Sequence, residues 1–234
     1  MALTDSLACY FPMWEPSGNT ICAHRGFVGT ETSGTIASGA GKPQLGRVFA
    51  SADTEYFEVA DNSGISGSNN DLTIAFWFYP TSVTGTQVLA HKGWQGANDV
   101  NREWVIYLSG ANLFWTPQRS TTFADTAVGG VTINTWHFVV SSLRTSDGLR
   151  SNRFNNGTAV TGTTAGLIGG VNDGTRTMQF GASTNQALYY SGTICEFGMW
   201  KRLLTTDEQT YLYNSGAGRT YPFGEFIVPQ VRIF

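Results

Sequence analysis

The residue in this sequence best placed to meet a ligand is a tryptophan in a glycine-rich loop. Trp94 interrupts Lys92-Gly93-Trp94-Gln95-Gly96-Ala97-Asn98, where a core side chain would be out of place. Its ring has the shape to stack on a sugar face, with the Asn98 amide close enough in sequence to hydrogen-bond hydroxyls. Trp115 and Tyr189, next to expected strands, are further candidates for the same chemistry. A second kind of chemistry is suggested by oxygen-rich loops. Asp61-Asn62-Ser63-Gly64-Ile65-Ser66-Gly67-Ser68-Asn69-Asn70-Asp71 and Asn98-Asp99-Val100-Asn101 carry the carboxylate, amide and carbonyl oxygens that a hard cation such as calcium takes. Asp61, Asn62 and Asp71 are the candidate ligands. No EF-hand spacing is present, and the plainer reading is of polar loops with Asx turns.

Catalytic constellations do not assemble in the same way. His24, His91 and His137 lie far apart, with no HExxH spacing and no Gly-x-Ser-x-Gly elbow. His137 falls inside an expected strand and reads as structural. The glycines are dispersed as turns rather than gathered before a helix, so no phosphate-binding loop is expected. Net charge is −3, from 14 basic and 17 acidic residues without long runs, which leaves no footprint for nucleic acid. Cys9, Cys22 and Cys195 are odd in number and widely spaced, and read as buried small hydrophobes. The first residues lack a basic and apolar secretory pattern, and no run of about 18 apolar residues exists for a membrane span.

The elements that must position these residues are strands. Aromatics are 13% of the chain and charged residues only 13%, about half the usual charged share of roughly 25%. Short β-branched and aromatic runs recur from Leu7 to Trp200, separated by Gly, Asn and Ser. Leu72–Tyr79, stopped by Pro80, is apolar almost throughout and reads as a central strand. Further strands are expected at Leu7–Phe11, Arg47–Ala50, Tyr56–Val59, Val88–His91, Trp104–Leu108, Asn112–Thr116, Trp136–Leu143, Asn152–Asn155, Met178–Phe180 and Ser191–Trp200. So many strands imply two packed sheets. Asp147-Gly148, Asn156-Gly157 and Asp173-Gly174 are expected as hairpin turns. One helix is expected, with Thr205 and Glu208 as a capping box and Gly216 as its stop.

In order and spacing, these segments resemble laminin-G-like domains of the concanavalin A-like lectin/glucanase superfamily. The resemblance rests on Leu3–Phe11, Trp14–Gly18, Tyr56–Asp61, Asp71–Trp77, Thr135–Val140, Arg153–Gly157, Ser191–Trp200 and Leu203–Glu208. It implies an all-β, two-sheet antiparallel sandwich over residues 1–218 with one short C-terminal helix. It also implies that Trp77, Trp136 and Trp200 fill the interior rather than bind sugar. Glucanases of this fold use carboxylates in E-x-D-x-E or E-x-D-x-x-E patterns, and neither occurs here. Glu55 and Glu58 are three apart, and Glu196 is followed by Gly198 and Trp200. A non-catalytic binding protein is therefore expected, with calcium the metal the fold would carry and glycan a natural ligand class.

Residues 219–234 form an apolar arm containing Tyr221, Phe223, Phe226, Ile227, Val231, Ile233 and Phe234. Standalone chains of this type resemble bacteriophage virion proteins, which implies a decoration, fibre or tail-appendage component on a virion surface. On that reading the arm joins copies of the chain into a homo-oligomer or binds other virion proteins. A lectin-like module acting away from any virus particle is the alternative.

Overall fold

The computed structural model describes residues 2–94, 99–183, 185 and 187–224. In chain order its strands begin with β1 (Leu7–Phe11), β2 (Thr20–Ile21), β3 (Val28–Thr32), β4 (Ala37–Ala40), β5 (Leu45–Phe49), β6 (Tyr56–Val59), β7 (Leu72–Pro80), β8 (Thr86–Lys92), β9 (Trp104–Ser109) and β10 (Asn112–Arg119). They continue with β11 (Thr122–Phe123), β12 (Thr126–Gly129), β13 (His137–Arg144), β14 (Leu149–Phe154), β15 (Val160–Thr163), β16 (Met178–Phe180), β17 (Ala182–Ser183), β18 (Leu188–Tyr189) and β19 (Gly192–Trp200), followed by the helix α1 (Thr206–Tyr213). Two large antiparallel sheets form the expected sandwich. The first runs β15-β14-β13-β7-β19-β5-β4, with β1 also on β19; the second runs β11-β10-β9-β8-β16-β6-β3-β2, with β12 on β10.

Alternation along each strand fills the space between the sheets. Ile74, Phe76 and Phe78 of β7 meet Trp104, Ile106 and Leu108 of β9 and Leu113 and Trp115 of β10 in one buried cluster. The three cysteines are free and buried. Trp77 and Trp200 are buried too, but not between the sheets. They lie on the outer side of the first sheet with Leu7, Tyr10, Ala75, Phe138 and Val140. That apolar face is covered by α1 and by the segment after it. Tyr213 stacks on Trp77 at 5.5 Å, and Tyr221 and Phe223 lie 5.8 and 5.1 Å from the Tyr10 ring. Two of the arm residues are thus docked on their own domain; Phe226, Ile227, Val231, Ile233 and Phe234 lie outside the described residues.

The capping box forms as expected: Glu208 N donates to Thr205 Oγ1 at 3.2 Å and Thr205 N donates to Glu208 Oε2 at 2.8 Å. The helix runs to Tyr213, as the sequence leads one to expect, and Asn214 rather than Gly216 takes the left-handed conformation that closes it. Two turns also differ from the sequence reading. Asn155 and Asn156 are the residues with positive φ, and Gly157 N donates to Phe154 O across them, so the tight turn sits one residue earlier than Asn156-Gly157. Asp173-Gly174 is no hairpin turn. Gly174 is needed for contact, since a Cβ there would lie 2.0 Å from Asn101 O.

A carboxyl is trapped at the covered face. β19 bulges between Cys195 and Gly198, where Glu196 takes a positive φ, and its free edge switches there from β5 to β1. The Glu196 side chain is enclosed, accepting from Tyr10 Oη and Trp14 Nε1, both at 2.5 Å, while Tyr10 Oη also lies 3.2 Å from Arg219 O. Burial outweighs these two donors and pushes the Glu196 carboxyl up to about 8. Between its ordinary value near 4.5 and 8 the folded chain holds a proton that the unfolded chain has released, so stability falls as pH rises through that window. Relative to Glu196→Gln, wild type should lose several kcal/mol in urea unfolding between pH 5 and pH 8, at about 1.4 kcal/mol per unit. Glu196→Gln should flatten that part of the profile; an unchanged difference between the two pH values would contradict this placement of the proton.

Candidate functional site

The second sheet leaves its outer face uncovered by any helix among the described residues. Strand register arranges that face in two rows. Val88, Tyr107, Phe114 and Ala127 pair in succession across β8, β9, β10 and β12. Beside them run Thr116, Val105, His91, Gln179, Glu58 and Thr30 across β10, β9, β8, β16, β6 and β3. The first row carries the aromatic pair; in the second, Thr116, Val105, His91 and Gln179 are buried, Glu58 is half-buried and Thr30 exposed. Tyr107 and Phe114 stack at 4.9 Å with an interplanar angle of 7°, and both are half-buried.

Trp94 is held against this row by the chain that follows β8. The half-buried ring lies 5.8 Å from Tyr107. Gly93 makes the approach feasible: it has φ +77°, and a Cβ there would lie 2.1 Å from Asn101 O. Trp94 N donates to His91 Nδ1 at 2.9 Å, and Ser183 Oγ donates to Trp94 O at 3.1 Å. Since His91 Nδ1 accepts, the proton sits on Nε2 and donates to Gln179 Oε1 at 3.0 Å. Gln179 Nε2 then donates to Glu58 Oε2 at 2.7 Å. Hydrogen bonds therefore run in one direction from the Trp94 backbone to the Glu58 carboxylate.

Beneath Trp94 the loops are pinned by a buried cation. Lys92 Nζ reaches Asp61 Oδ1 at 2.7 Å, Glu103 Oε1 at 3.1 Å, and the carbonyls of Gly174 and Arg176 at 3.0 and 2.9 Å. Glu103 Oε2 accepts from Gly67 N at 2.7 Å. Four chain segments thus meet at one ammonium group.

A second cation lies at the rim. Arg102 is 3% exposed, its guanidinium 4.7 Å from the Phe123 ring and 6.0 Å from the Trp94 ring. Its Nε and Nη2, and Trp94 Nε1, are enclosed without a hydrogen-bond partner. The carboxylates near it are engaged: Asp125 accepts from the Thr116 and Tyr107 hydroxyls, and Asp99 pairs with Arg176 at 3.3 Å. Burial, reinforced by Asp125, pushes the Tyr107 phenol up to about 12, so it stays a neutral donor.

This sheet arrangement can be set beside known proteins. A laminin-G-type family model, described as concanavalin A-like lectin/glucanases, matches residues 51–208. The chain belongs to the concanavalin A-like lectin/glucanase superfamily. No curated protein matches the sequence. Among solved structures, the chain is similar to the binding domain of Paraclostridial Mosquitocidal Protein 1, with a TM-score of 0.71, 17% identity, 92% of this chain and 53% of that one. It is similar to the binding domain of botulinum neurotoxin DC in complex with SialylT, with a TM-score of 0.69, 14% identity and coverage of 92% and 52%. The same toxin's binding domain in complex with rat synaptotagmin II gives 0.70, 15%, 92% and 52%. The chain spans about half the length of these structures, and at such identity the likeness is one of fold.

Within this lectin/glucanase fold, the residues singled out in the sequence separate. Trp94 lies on the aromatic face, while Asn98 lies outside the described residues. Trp115 differs from its expectation as a sugar platform: it is fully buried between the sheets, and its Nε1 donates to Ser142 O at 3.0 Å. Alternation explains this, because Trp115 follows Leu113 inward and Phe114 takes the outward position. Tyr189 lines a separate shallow cleft of about 310 Å³ with Ser51, Thr86, Gln87 and Ser191. The calcium candidates are not gathered around a common point. Asp61 binds Lys92, Asn62 Oδ1 accepts from Gly64 N at 2.7 Å, and Asp71 Oδ1 accepts from Thr145 N and Oγ1, both at 2.7 Å. Among the described residues no three His, Cys, Asp or Glu side chains group to hold a metal. Sequence reasoning missed Arg102, Tyr107, Phe114 and Phe123. The signal for Tyr107 was the alternation of β9, whose Trp104, Ile106 and Leu108 leave it pointing outward.

Two stability effects test this geometry. Lys92→Met leaves Glu103 buried without its cation and should cost about 3–5 kcal/mol in chemical denaturation; a loss under 1 kcal/mol would contradict the buried pair. Burial lowers His91 to about 4, so between that value and its ordinary 6.5 the unfolded chain binds a proton that the folded chain does not. Stability should be fully present above pH 6.5 and fall toward pH 4, by up to about 3 kcal/mol at about 1.4 kcal/mol per unit. Proton-detected NMR should find His91 neutral at pH 6; a protonated ring there would overturn the relay.

Proposed function

We propose that this domain is a non-catalytic glycan-binding module whose ligand face is the outer surface of the second sheet. The observation that carries this reading is the half-exposed row of Trp94, Tyr107 and Phe114, backed by the second row, which ends at Glu58 and Thr30. A sugar has an apolar C–H face that such rings match and a rim of hydroxyls, for which the second row offers only its solvent-reaching end at Glu58 and Thr30. Superfamily membership agrees with this reading, as does the similar toxin structure in complex with SialylT. Because the chain spans about half of that structure, the main support is its own surface. The carboxylates at the face are held by protein donors and do no acid–base work on this reading.

A place on a virion surface, with the arm as the assembly element, has narrower support. Tyr221 and Phe223 are occupied by Tyr10 and Trp200 of the same chain, so assembly would fall to residues 225–234.

A glycan array probed with the wild-type domain should show binding, and Trp94→Ala and Tyr107→Ala should each weaken it at least about tenfold, a change of 1.4 kcal/mol. Melting temperatures should stay close to wild type for Trp94→Ala, because the ring is partly exposed. A silent array, or binding indifferent to both substitutions, would overturn the module reading.

A further inference from the structure

We propose that the ligand of this face is an acid-bearing glycan, whose carboxylate or sulfate is received by Arg102 with the Trp94 indole N–H beside it. The proposal rests on the glycan-binding reading above and adds the chemical class of the sugar. Its basis is a cluster of unpartnered donors among the described residues. Arg102 Nε, Arg102 Nη2 and Trp94 Nε1 are donors, all enclosed, and none has an acceptor. Buried N–H groups in folded proteins are almost always satisfied, so enclosed donors unpartnered together behind an aromatic face point to a partner from outside the chain. A guanidinium offers its N–H groups in a fork that fits the two oxygens of a carboxylate or sulfate, which themselves only accept.

The surroundings explain why the chain does not satisfy Arg102 itself. Asp99 is drawn to Arg176, and Asp125 to Thr116 and Tyr107. Phe123 and Trp94 flank the guanidinium with ring faces, which stabilise its charge without accepting its N–H groups in the usual geometry. Phe123 is 42% exposed on the two-residue strand β11, so its ring is the outer cover of the guanidinium. Lysine would not replace this residue, because it lacks the planar fork.

Because Arg102 Nε and Nη2 have no hydrogen-bond partner among the described residues, removing the side chain should not unfold the domain. Arg102→Met keeps the length of the side chain, fills the same aromatic slot, and should melt at or above the wild-type temperature. Calorimetric titration with 3′-sialyllactose, a sulfated lactose and unmodified lactose then separates the possibilities. Wild type should bind at least one acid-bearing sugar tenfold or more tightly than lactose, with affinity falling as salt rises. Arg102→Met should lose that preference and retain the weak binding common to all three, while Trp94→Ala should weaken all three together. The carboxylate and sulfate arms identify which acid the fork receives. Equal wild-type affinity for lactose and both acids, or a preference that survives in Arg102→Met, overturns the proposal and leaves the glycan module standing. No binding to any of these sugars, together with a silent glycan array, overturns both.

Discussion

The structure depends on a pair of strands that are apolar on both faces. β7 and β19 lie side by side at the centre of the first sheet, and β19 is buried at every position. Their inward side chains build the core between the sheets, but Ala75, Trp77, Cys195 and Trp200 point the other way and cannot be left in water. At roughly 25 cal/mol per Å², exposing rings of that size would be a large loss against a typical net stability of about 5–15 kcal/mol. The sandwich therefore needs a third layer on that side, supplied by α1 and residues 219–224. The capping box, the Tyr213 stack on Trp77 and the placement of Tyr221 and Phe223 all serve this need.

That requirement divides the molecule functionally. One outer face is closed by the chain's own C-terminal segment, and the buried carboxyl of Glu196 is enclosed with it. The opposite face has no helix over it among the described residues, and its Tyr107 and Phe114 are half-buried rather than enclosed. Tyr107 and Phe114 stack there, Trp94 leans on Tyr107, and the Lys92 ion cluster holds the loop that carries Trp94. On the proposed glycan-binding reading, the ion cluster beside the aromatic surface lowers the entropic cost of binding by holding the platform rigid.

Much of the fold is legible in the sequence, because a nine-residue apolar run such as Leu72–Pro80 and a Thr205/Glu208 capping box each carry their structural meaning locally. The short strands β2, β3, β4, β11, β12 and β15 are not legible in the same way. They are rich in Gly, Ser and Thr and are defined by what they pair with. Trp94 could be read as a ligand residue because its loop had no periodicity to bury it. Trp115 could not be placed from composition, since only the phase of β10 decides that it points inward and Phe114 outward. Arg102 was invisible for a further reason: what marks it is not its type but the lack of an acceptor, which exists only once Asp99 and Asp125 have been drawn elsewhere. Asp61 and Asp71 looked like metal ligands because an oxygen-rich loop has the composition calcium takes; in the structure Asp61 accepts from Lys92 and Asp71 from the Thr145 backbone.

The central claim is that ligand meets the second sheet's outer face and not the covered one. The seven tryptophans report on both. A titration with a bound glycan, followed by the indole N–H resonances, should shift Trp94 while Trp77 and Trp200 under the C-terminal segment, and Trp115 in the core, stay still. Movement of Trp77 or Trp200 with Trp94 unchanged would contradict the account.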